Sequence, residues 1–325
     1  MLGNPERPIG GLAVRTPPGV ELVPLGRDDG PDAVRLARRA RGLPPDDAAG
    51  MGDRWEALVN SPDTVGYLAR DDGEPVGLAV MQLRRRLNFA TFEGWTSELA
   101  LPDEPGEPAG RPIGAAMLKA LVAEWQLRGG HRILASVPTG DGGRRAALEH
   151  AGFAEGFIDF SMAPISVADE PMPPGVSIRP LVVEDGDAVT RLIAEFGQRR
   201  SPVPDRMEAV LRTFAAHARD VATGRAASIV AELEGVTVGV CTLEWQRPFW
   251  SDELHAWLPD LVVTEPLRGR GIGRALLGSA LVAARDAEAG EVRLESGAQR
   301  AAAHGLYRSS GFADAGHTWL LRRED

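Results

Sequence analysis

A mixed α/β fold built twice over in one chain is what this sequence predicts, and three observations carry the prediction. Short apolar runs of strand length alternate with stretches of helical period. Marker residues also recur at a nearly fixed distance. Pro24-Leu25 with Asp29-Gly30 returns as Pro180-Leu181 with Asp185-Gly186, 156 positions on. Val76-Gly77 returns as Val238-Gly239 162 positions on, while Ile113-Gly114 and Gly152-Phe153 return as Ile272-Gly273 and Gly311-Phe312, each 159 on. Matches that keep one order and a nearly fixed offset mark an internal duplication of about 150 residues. Finally, 325 residues with 43% apolar content are enough to bury two cores. Each half is therefore expected to hold a mixed sheet with helices on both faces.

In chain order, residues 1–19 are rich in Pro and Gly and read as a mobile tail. A strand over Glu21–Leu25 leads through Asp28-Asp29-Gly30 into a helix over Asp32–Arg41, and a second helix covers Gly52–Asn60. Strands over Thr64–Arg70 and Pro75–Leu83 flank Asp71-Asp72-Gly73, a hairpin signal. A strand over Ala90–Ala100, a loop over 102–111, a helix over Ile113–Leu127, a strand over Arg132–Val137, a helix over Arg144–His150 and a closing strand from Phe153 complete the first half. The expected division is a domain over 20–163, a Pro-stiffened linker over 164–175 and a second domain over 176–325.

Charge and composition exclude several classes. A net charge of −10 and a pI near 5.2 argue against binding to a phosphate backbone and favour a cationic small molecule. One cysteine, Cys241, allows no intrachain disulfide and suits a reducing compartment. Met1–Pro18 carries two Arg, one Glu and four Pro but no apolar run, and no stretch approaches the ~18 apolar residues of a membrane span. A cytoplasmic protein is expected, and the abundance of Ala, Arg and Gly points to a bacterial source. The six histidines show no metal-ligand spacing, so no metal is expected.

The chemistry concentrates in Asp260–Gly273. Leu261, Val262 and Val263 read as a strand that stops at Pro266, and Ile272, Leu276, Ser279, Ala280 and Ala283 form one stripe of a following helix. Between them, Arg268-Gly269-Arg270-Gly271-Ile272-Gly273 is a small-residue turn whose N–H groups can face an anion. A nucleotide-hydrolase phosphate loop would need Lys after its last glycine, where Arg274-Ala275 stands. A dinucleotide turn would need a third glycine at position 274. What remains is Arg/Gln-x-x-Gly-x-Gly/Ala, met by Arg268, Gly271 and Gly273. Downstream, Arg300, Ala303, His304, Leu306, Tyr307, Gly311 and Phe312 form a second signature.

On these two motifs the sequence resembles the GNAT superfamily of acetyl-coenzyme A-dependent N-acetyltransferases. The resemblance implies two tandem GNAT-like domains, each with a mixed, mostly antiparallel twisted sheet and a splayed central strand pair. It implies that backbone N–H groups of Arg268, Gly269, Arg270, Gly271, Ile272, Gly273 and Arg274 bind the coenzyme A pyrophosphate. It further implies that Leu261, Val262 and Val263 align the pantetheine arm beside a slot opened by splaying from the strand Glu291–Glu295. Tyr307 falls where the family keeps the proton donor to the departing thiolate, and Asp260 near where members place a carboxylate base. Glu244, Asp252, Glu253, His255 and Glu295 compete with Asp260. Trp245, Phe249, Trp250 and Trp257, interleaved with these acids, are candidates for an aromatic and acidic amine pocket.

The halves differ where it matters. Arg268 falls on Ala109, Gly271 on Pro112 and Tyr307 on Leu148. Proline offers no N–H to a phosphate and leucine passes no proton. The first half is thus expected to keep the fold without the chemistry. The resulting expectation is acetyl transfer from acetyl-CoA to a primary amine of a small molecule by direct attack in a ternary complex, by a monomer or homodimer. The alternatives are an acyl-CoA-binding sensor without turnover, or transfer of another acyl group or to a hydroxyl.

Overall fold

The structure, a computed structural model, describes residues 16–44, 51–84, 92–102, 113–168, 171–197 and 206–323. Most of the expected tail, the start of the strand placed at Ala90, nearly all of the 102–111 loop, and Ala109 and Pro112 lie outside the described residues.

The first half runs β1 (Val20–Pro24), α1 (Gly30–Arg39), α2 (Gly52–Val59), β2 (Thr64–Asp71), β3 (Glu74–Arg84), β4 (Glu93–Ala100), α3 (Ile113–Leu127), β5 (Arg132–Pro138), α4 (Gly142–His150) and β6 (Ala154–Met162). Each has a local cause. Pro31 opens α1, and Ala33, Val34, Leu36 and Ala37 form its buried stripe. Asp72 and Gly73 both take positive φ, as a two-residue turn between β2 and β3 requires. Asp141 caps α4 by accepting the Arg144 N–H at 2.9 Å.

The order then repeats as β7 (Val176–Pro180), α5 (Gly186–Gly197), α6 (Arg206–Ala222), β8 (Ile229–Leu233), β9 (Val236–Cys241), β10 (Glu244–Gln246), β11 (His255–Trp257), β12 (Leu261–Val263), α7 (Ile272–Asp286), β13 (Glu291–Gly297), α8 (Ala301–Ser309) and β14 (Ala313–Arg322). Two strands of the first half are each broken in the second. Thr242 and Leu243 divide the counterpart of β3 into β9 and β10; Leu258, Pro259 and Asp260 divide the counterpart of β4 into β11 and β12. Pro259 has no N–H for a ladder, and that break opens the site described below.

Mixed sheets with helices are found as expected, and the strand order adds what a repeat alone does not reveal. Ten strands form one sheet in the order β1-β2-β3-β4-β5-β14-β6-β13-β11-β10, and β12-β9-β8-β7 form a second. The halves exchange their closing strands. β14, the last of the chain, pairs antiparallel with β5 from Gly316↔Pro138 to Arg322↔Arg132. β6, the last of the first half, pairs with β13 from Val292↔Met162 to Gly297↔Phe157. β14 and β6 pair with each other through two irregularities. At one of them Gly316 has φ 150°, and a side chain there would run into the Val137 carbonyl.

Helices α3 and α4 cover one core with Met117, Leu121, Trp125 and Leu148. On the second half α7 and α8 cover another, with Leu276, Leu277, Leu294, Phe160 and Tyr307. Val189, Ile193 and Phe214 of α5 and α6 pack on Val230, Val240 and Val262. The fourth cluster crosses the repeat, because Phe249 and Trp250 pack with Trp55, Leu36 and Val80 of the first half.

Candidate active site

In both halves two neighbouring strands start parallel and then separate. β4 and β5 pair from Glu93↔Arg132 to Thr96↔Ala135, and β11 and β13 from His255↔Glu291 to Trp257↔Arg293. After the Leu258 N–H bonds the Arg293 carbonyl at 2.9 Å, the chain steps away at Pro259. Among the described residues β12 then pairs with β9 alone, Leu261↔Cys241 to Val263↔Gly239, and belongs to the other sheet. Its second edge therefore faces a gap.

That gap is a cavity of about 740 Å³. Leu261, Val262 and Val263 form one wall; Gln299, Arg300, Ala303, Leu306 and Tyr307 form the other; Arg268, Gly269 and Gly273 close the end. The structure thus brings together Leu261, Val262, Val263, Arg268, Gly269, Gly273 and Tyr307. Arg270, Gly271, Ile272 and Arg274 belong to the same turn and helix start but do not line the cavity.

The turn has the geometry an anion needs. Gly269 and Gly271 take φ 78° and 85°, in the left-handed region where a side chain is disfavoured. The first bond of α7 runs from the Ala275 N–H to the Gly271 carbonyl at 3.0 Å, so the N–H groups of Ile272 and Gly273 have no helical acceptor. With the helix dipole, they offer partial positive charge. Arg268 Nε donates to the Val263 carbonyl at 3.0 Å and ties the turn to the end of β12. The Arg274 guanidinium bonds Ser309 Oγ at 2.7 Å, linking α7 to α8.

Tyr307 is buried, its ring 5.4 Å from that of Phe160 and 6.0 Å from that of Phe312. Burial, with Cys241 and Asp260 adding and Arg300 opposing, pushes its phenol up to about 12. It stays protonated through neutral pH. Asp260 is buried at the strand break, where its N–H bonds Thr242 Oγ1 at 3.0 Å and its carbonyl accepts the Thr242 N–H at 2.9 Å. It does not line the cavity, although its charge reaches both Tyr307 and Cys241. Burial raises the Cys241 thiol further above its ordinary range, which makes it a poor nucleophile.

One expectation is corrected. Phe249 and Trp250 do not form an amine pocket: both are 7% exposed and belong to the core of α1 and α2. Arg38 Nη1 donates to the Trp250 carbonyl at 3.1 Å, and the Arg41 guanidinium lies 3.9 Å from the Trp250 ring. His255 packs edge-on at 6.0 Å from Trp250, and burial, with Arg293 nearby, lowers its pKa. Asp252 pairs with Arg54, and the Glu253 carboxylate lies 3.4 Å from His255 Nε2.

Sequence reasoning missed Glu195, which lines the cavity from α5 and accepts the Glu265 N–H at 2.9 Å and the Thr264 hydroxyl at 3.2 Å. One acid on an amphipathic helix carries no signal of such a distant contact. Gln299 was missed too, though it precedes the Arg300–Phe312 signature directly.

The same place in the first half is built differently. α4 and α8 correspond residue for residue, 159 positions apart, so Arg144 stands for Ala303 and Leu148 for Tyr307. Where the second half has Ala303, Arg144 extends a partly buried guanidinium that bonds the Ser136 carbonyl at 3.3 Å and pairs with Asp141 at 3.1 Å. Burial lowers its pKa against the opposing charges of Asp141 and Glu98. Glu98, at the position of Asp260, is 1% exposed and salt-bridged to Arg41 at 2.8 Å.

Comparison with known proteins agrees with this geometry. Residues 191–312 match the model of the Acetyltransferase (GNAT) family. A 53-residue segment is 49% identical to YhdJ, an uncharacterized N-acetyltransferase of Bacillus subtilis strain 168, and covers 16% of this chain and 37% of that protein. Two solved structures share the fold over nearly the whole chain. A tandem GNAT protein from the clavulanic acid biosynthesis pathway aligns over 94% of this chain and 100% of its own, at 19% identity and TM-score 0.62. A GCN5-related N-acetyltransferase from Sphaerobacter thermophilus aligns over 95% and 97%, at 20% identity and TM-score 0.64. Residues 191–312 are thus similar to the Acetyltransferase (GNAT) family, and the whole chain shares its fold with a solved tandem GNAT protein.

Proposed function

We propose that this chain is an N-acetyltransferase that moves an acetyl group from acetyl-coenzyme A to a primary amine of a small molecule, with the second half as its active domain. The observation that carries the reading is the cavity between β12 and α8, closed at one end by the positive-φ glycine turn and flanked by Tyr307. The residues present fit coenzyme A. The Ile272 and Gly273 N–H groups and the Arg268 and Arg270 charges suit a pyrophosphate, and the unpaired edge of β12 suits an extended amide arm.

Bound there, acetyl-coenzyme A supplies an activated thioester. The chain's own residues hold the rest of the reaction. Leu261 and Val263 offer backbone groups that fix the arm in register. Tyr307 holds a proton on its phenolic oxygen for the departing sulfur; because its pKa lies above that of a thiol, the transfer needs positioning rather than acidity. Asp260, directly or through water, accepts the proton of the incoming ammonium. Cys241 is held as a thiol, so direct attack is favoured over a covalent acyl-enzyme. The first half, read as residues 20–163 and joined to the domain at 176–325 by the linker 164–175, serves as scaffold. It has Arg144 where the second half has Ala303, and Leu148 where the second half has the Tyr307 hydroxyl. The net charge of −10 suits a cationic acceptor.

Release of free thiol from acetyl-coenzyme A with a panel of small amines tests the reading. Amine-dependent release supports it, and tight binding with no turnover by any amine favours an acyl-CoA sensor instead.

A further inference from the structure

Two polar groups separate the second half from the first along the face that α8 covers. One is Tyr307, for which the first half has Leu148. The other is Ser296. It stands 159 positions after Val137, which is buried in the first core. The equivalent place in the first half is thus filled by an apolar side chain.

Ser296 is 3% exposed, and its Oγ has no hydrogen-bond partner among the described residues. It lies on β13 beyond Arg293, the last residue of that strand paired with β11, where the parting of β12 leaves the edge open. Side chains alternate along a strand, so Ser296 shares a face with Val292 and Leu294, which pack in the core that holds Tyr307. His304, one turn before Tyr307 on α8, bonds the carbonyl of the next residue, Gly297, at 3.1 Å. α8 is thereby fixed over this end of β13. Buried hydroxyls left without a partner are uncommon, and a ligand is one way to complete them.

We propose that Ser296 Oγ is a ligand-binding hydroxyl that donates a hydrogen bond to the thioester end of the bound acyl-coenzyme A and strengthens that bond as negative charge builds on the leaving sulfur. This rests on the acetyl-transfer reading. The amine nitrogen, freed of its ammonium proton by Asp260, bonds to the acyl carbon; the carbon–sulfur bond breaks with its electron pair on sulfur; Tyr307 passes its proton to that sulfur, and the proton the nitrogen sheds on becoming an amide restores the Tyr307 phenol through solvent. Ser296 keeps its own proton throughout and contributes only the hydrogen bond. Its hydroxyl serves the thioester rather than the fold.

The test compares Ser296→Ala and Ser296→Thr with the wild type in the full chain. Three readouts are taken: the ligand-free thermal midpoint, the midpoint gain on adding acetyl-coenzyme A, and kcat with an accepted amine. Ser296→Ala should leave the ligand-free midpoint equal or slightly higher, reduce the gain with acetyl-coenzyme A, and lower kcat about tenfold. Ser296→Thr, which keeps a hydroxyl, should restore kcat to within a few-fold. Wild-type kcat and an unchanged acetyl-coenzyme A gain in Ser296→Ala overturn the proposal. So does a fall of several degrees in its ligand-free midpoint, which would assign the hydroxyl to folding. A wild type that neither binds coenzyme A nor turns over any amine removes the acetyl-transfer reading itself, a result distinct from the other two.

Discussion

Trp95 and Trp257, equivalent residues of the two halves 162 positions apart, stack on each other with ring centroids 6.4 Å apart and planes inclined by 24°. Each lies on the strand that leads into its half's splay, β4 or β11, and the Arg84 guanidinium sits 3.5 Å from the Trp95 ring. A residue touching its own counterpart marks a local twofold relation. Ser136, Thr318, Asp159 and Glu295 extend it. Thr318 pairs with Ser136 and Glu295 with Asp159 in register, and each member of one pair is 159 positions from a member of the other. The exchange of β6 and β14 is thus how one continuous sheet joins the repeats.

Cooperative unfolding follows from that exchange. Phe249 and Trp250, from the second half, complete the core of α1 and α2, and the Phe249 ring meets Trp55 edge-on at 5.2 Å. Trp250→Ala should cost about 3–5 kcal/mol by cavity formation. Urea unfolding followed by circular dichroism should stay a single transition with a lower midpoint. Two resolved transitions in the wild type would show that the halves are independent.

Acidity at the twofold centre should appear in stability. Asp159 accepts hydroxyl hydrogen bonds from Thr318 at 2.6 Å and from Ser136, yet burial, aided by the facing Glu295, pushes its carboxyl up to about 6. The folded state therefore holds a proton that the unfolded chain releases near its ordinary value of 3.8. Stability from this group is full below about pH 4 and is lost as pH rises to about 6, by up to ~3 kcal/mol for a two-unit shift. Asp159→Asn should flatten the stability profile between pH 4 and 6, measured by chemical denaturation. An unchanged slope would place the titration elsewhere.

Tyr307→Phe removes the phenol and keeps the ring contacts with Phe160 and Phe312. Turnover should fall about 10²-fold, a typical general-acid contribution, with coenzyme A affinity within about twofold. Because the phenol is held near 12, the wild type should show no alkaline loss of kcat from this group below about pH 10. A wild-type rate in the variant would take Tyr307 out of the reaction.

Gly271→Leu tests the turn. The position has φ 85°, and a Cβ there would come within 3.4 Å of Pro173 in the linker. Left-handed backbone costs an ordinary residue about 1–2 kcal/mol, so the turn should reshape. Coenzyme A affinity should drop at least tenfold while far-UV circular dichroism is retained. Intact affinity in a folded variant would count against the anion cradle.

The sequence shows much of this in advance, for local reasons. The repeat is visible because close packing on the sheet fixes Gly77 in β3, against Met117 of α3, and Gly239 in β9, against Leu276 of α7, at matching places. The helix over Ile113–Leu127 is likewise local. Strand exchange is not, since β6 and β14 carry the same alternation whichever neighbour they pair with. Phe249 and Trp250 mislead because an aromatic cluster reads alike as a pocket or as a core filled by another half. The seating of Arg144 in place of Ala303 is a long-range fact, legible only once α4 and α8 are laid on the strands beneath them.

Calorimetric titration of the full chain with coenzyme A, repeated on Gly273→Trp, tests the central claim most directly. Gly273 lines the cavity, and a Cβ there would lie 3.8 Å from Leu306 and from Val263, so an indole fills the gap between β12 and α8. The account predicts one equivalent bound per chain and none bound to the folded variant. Binding that survives in the variant, or two equivalents in the wild type, would contradict it.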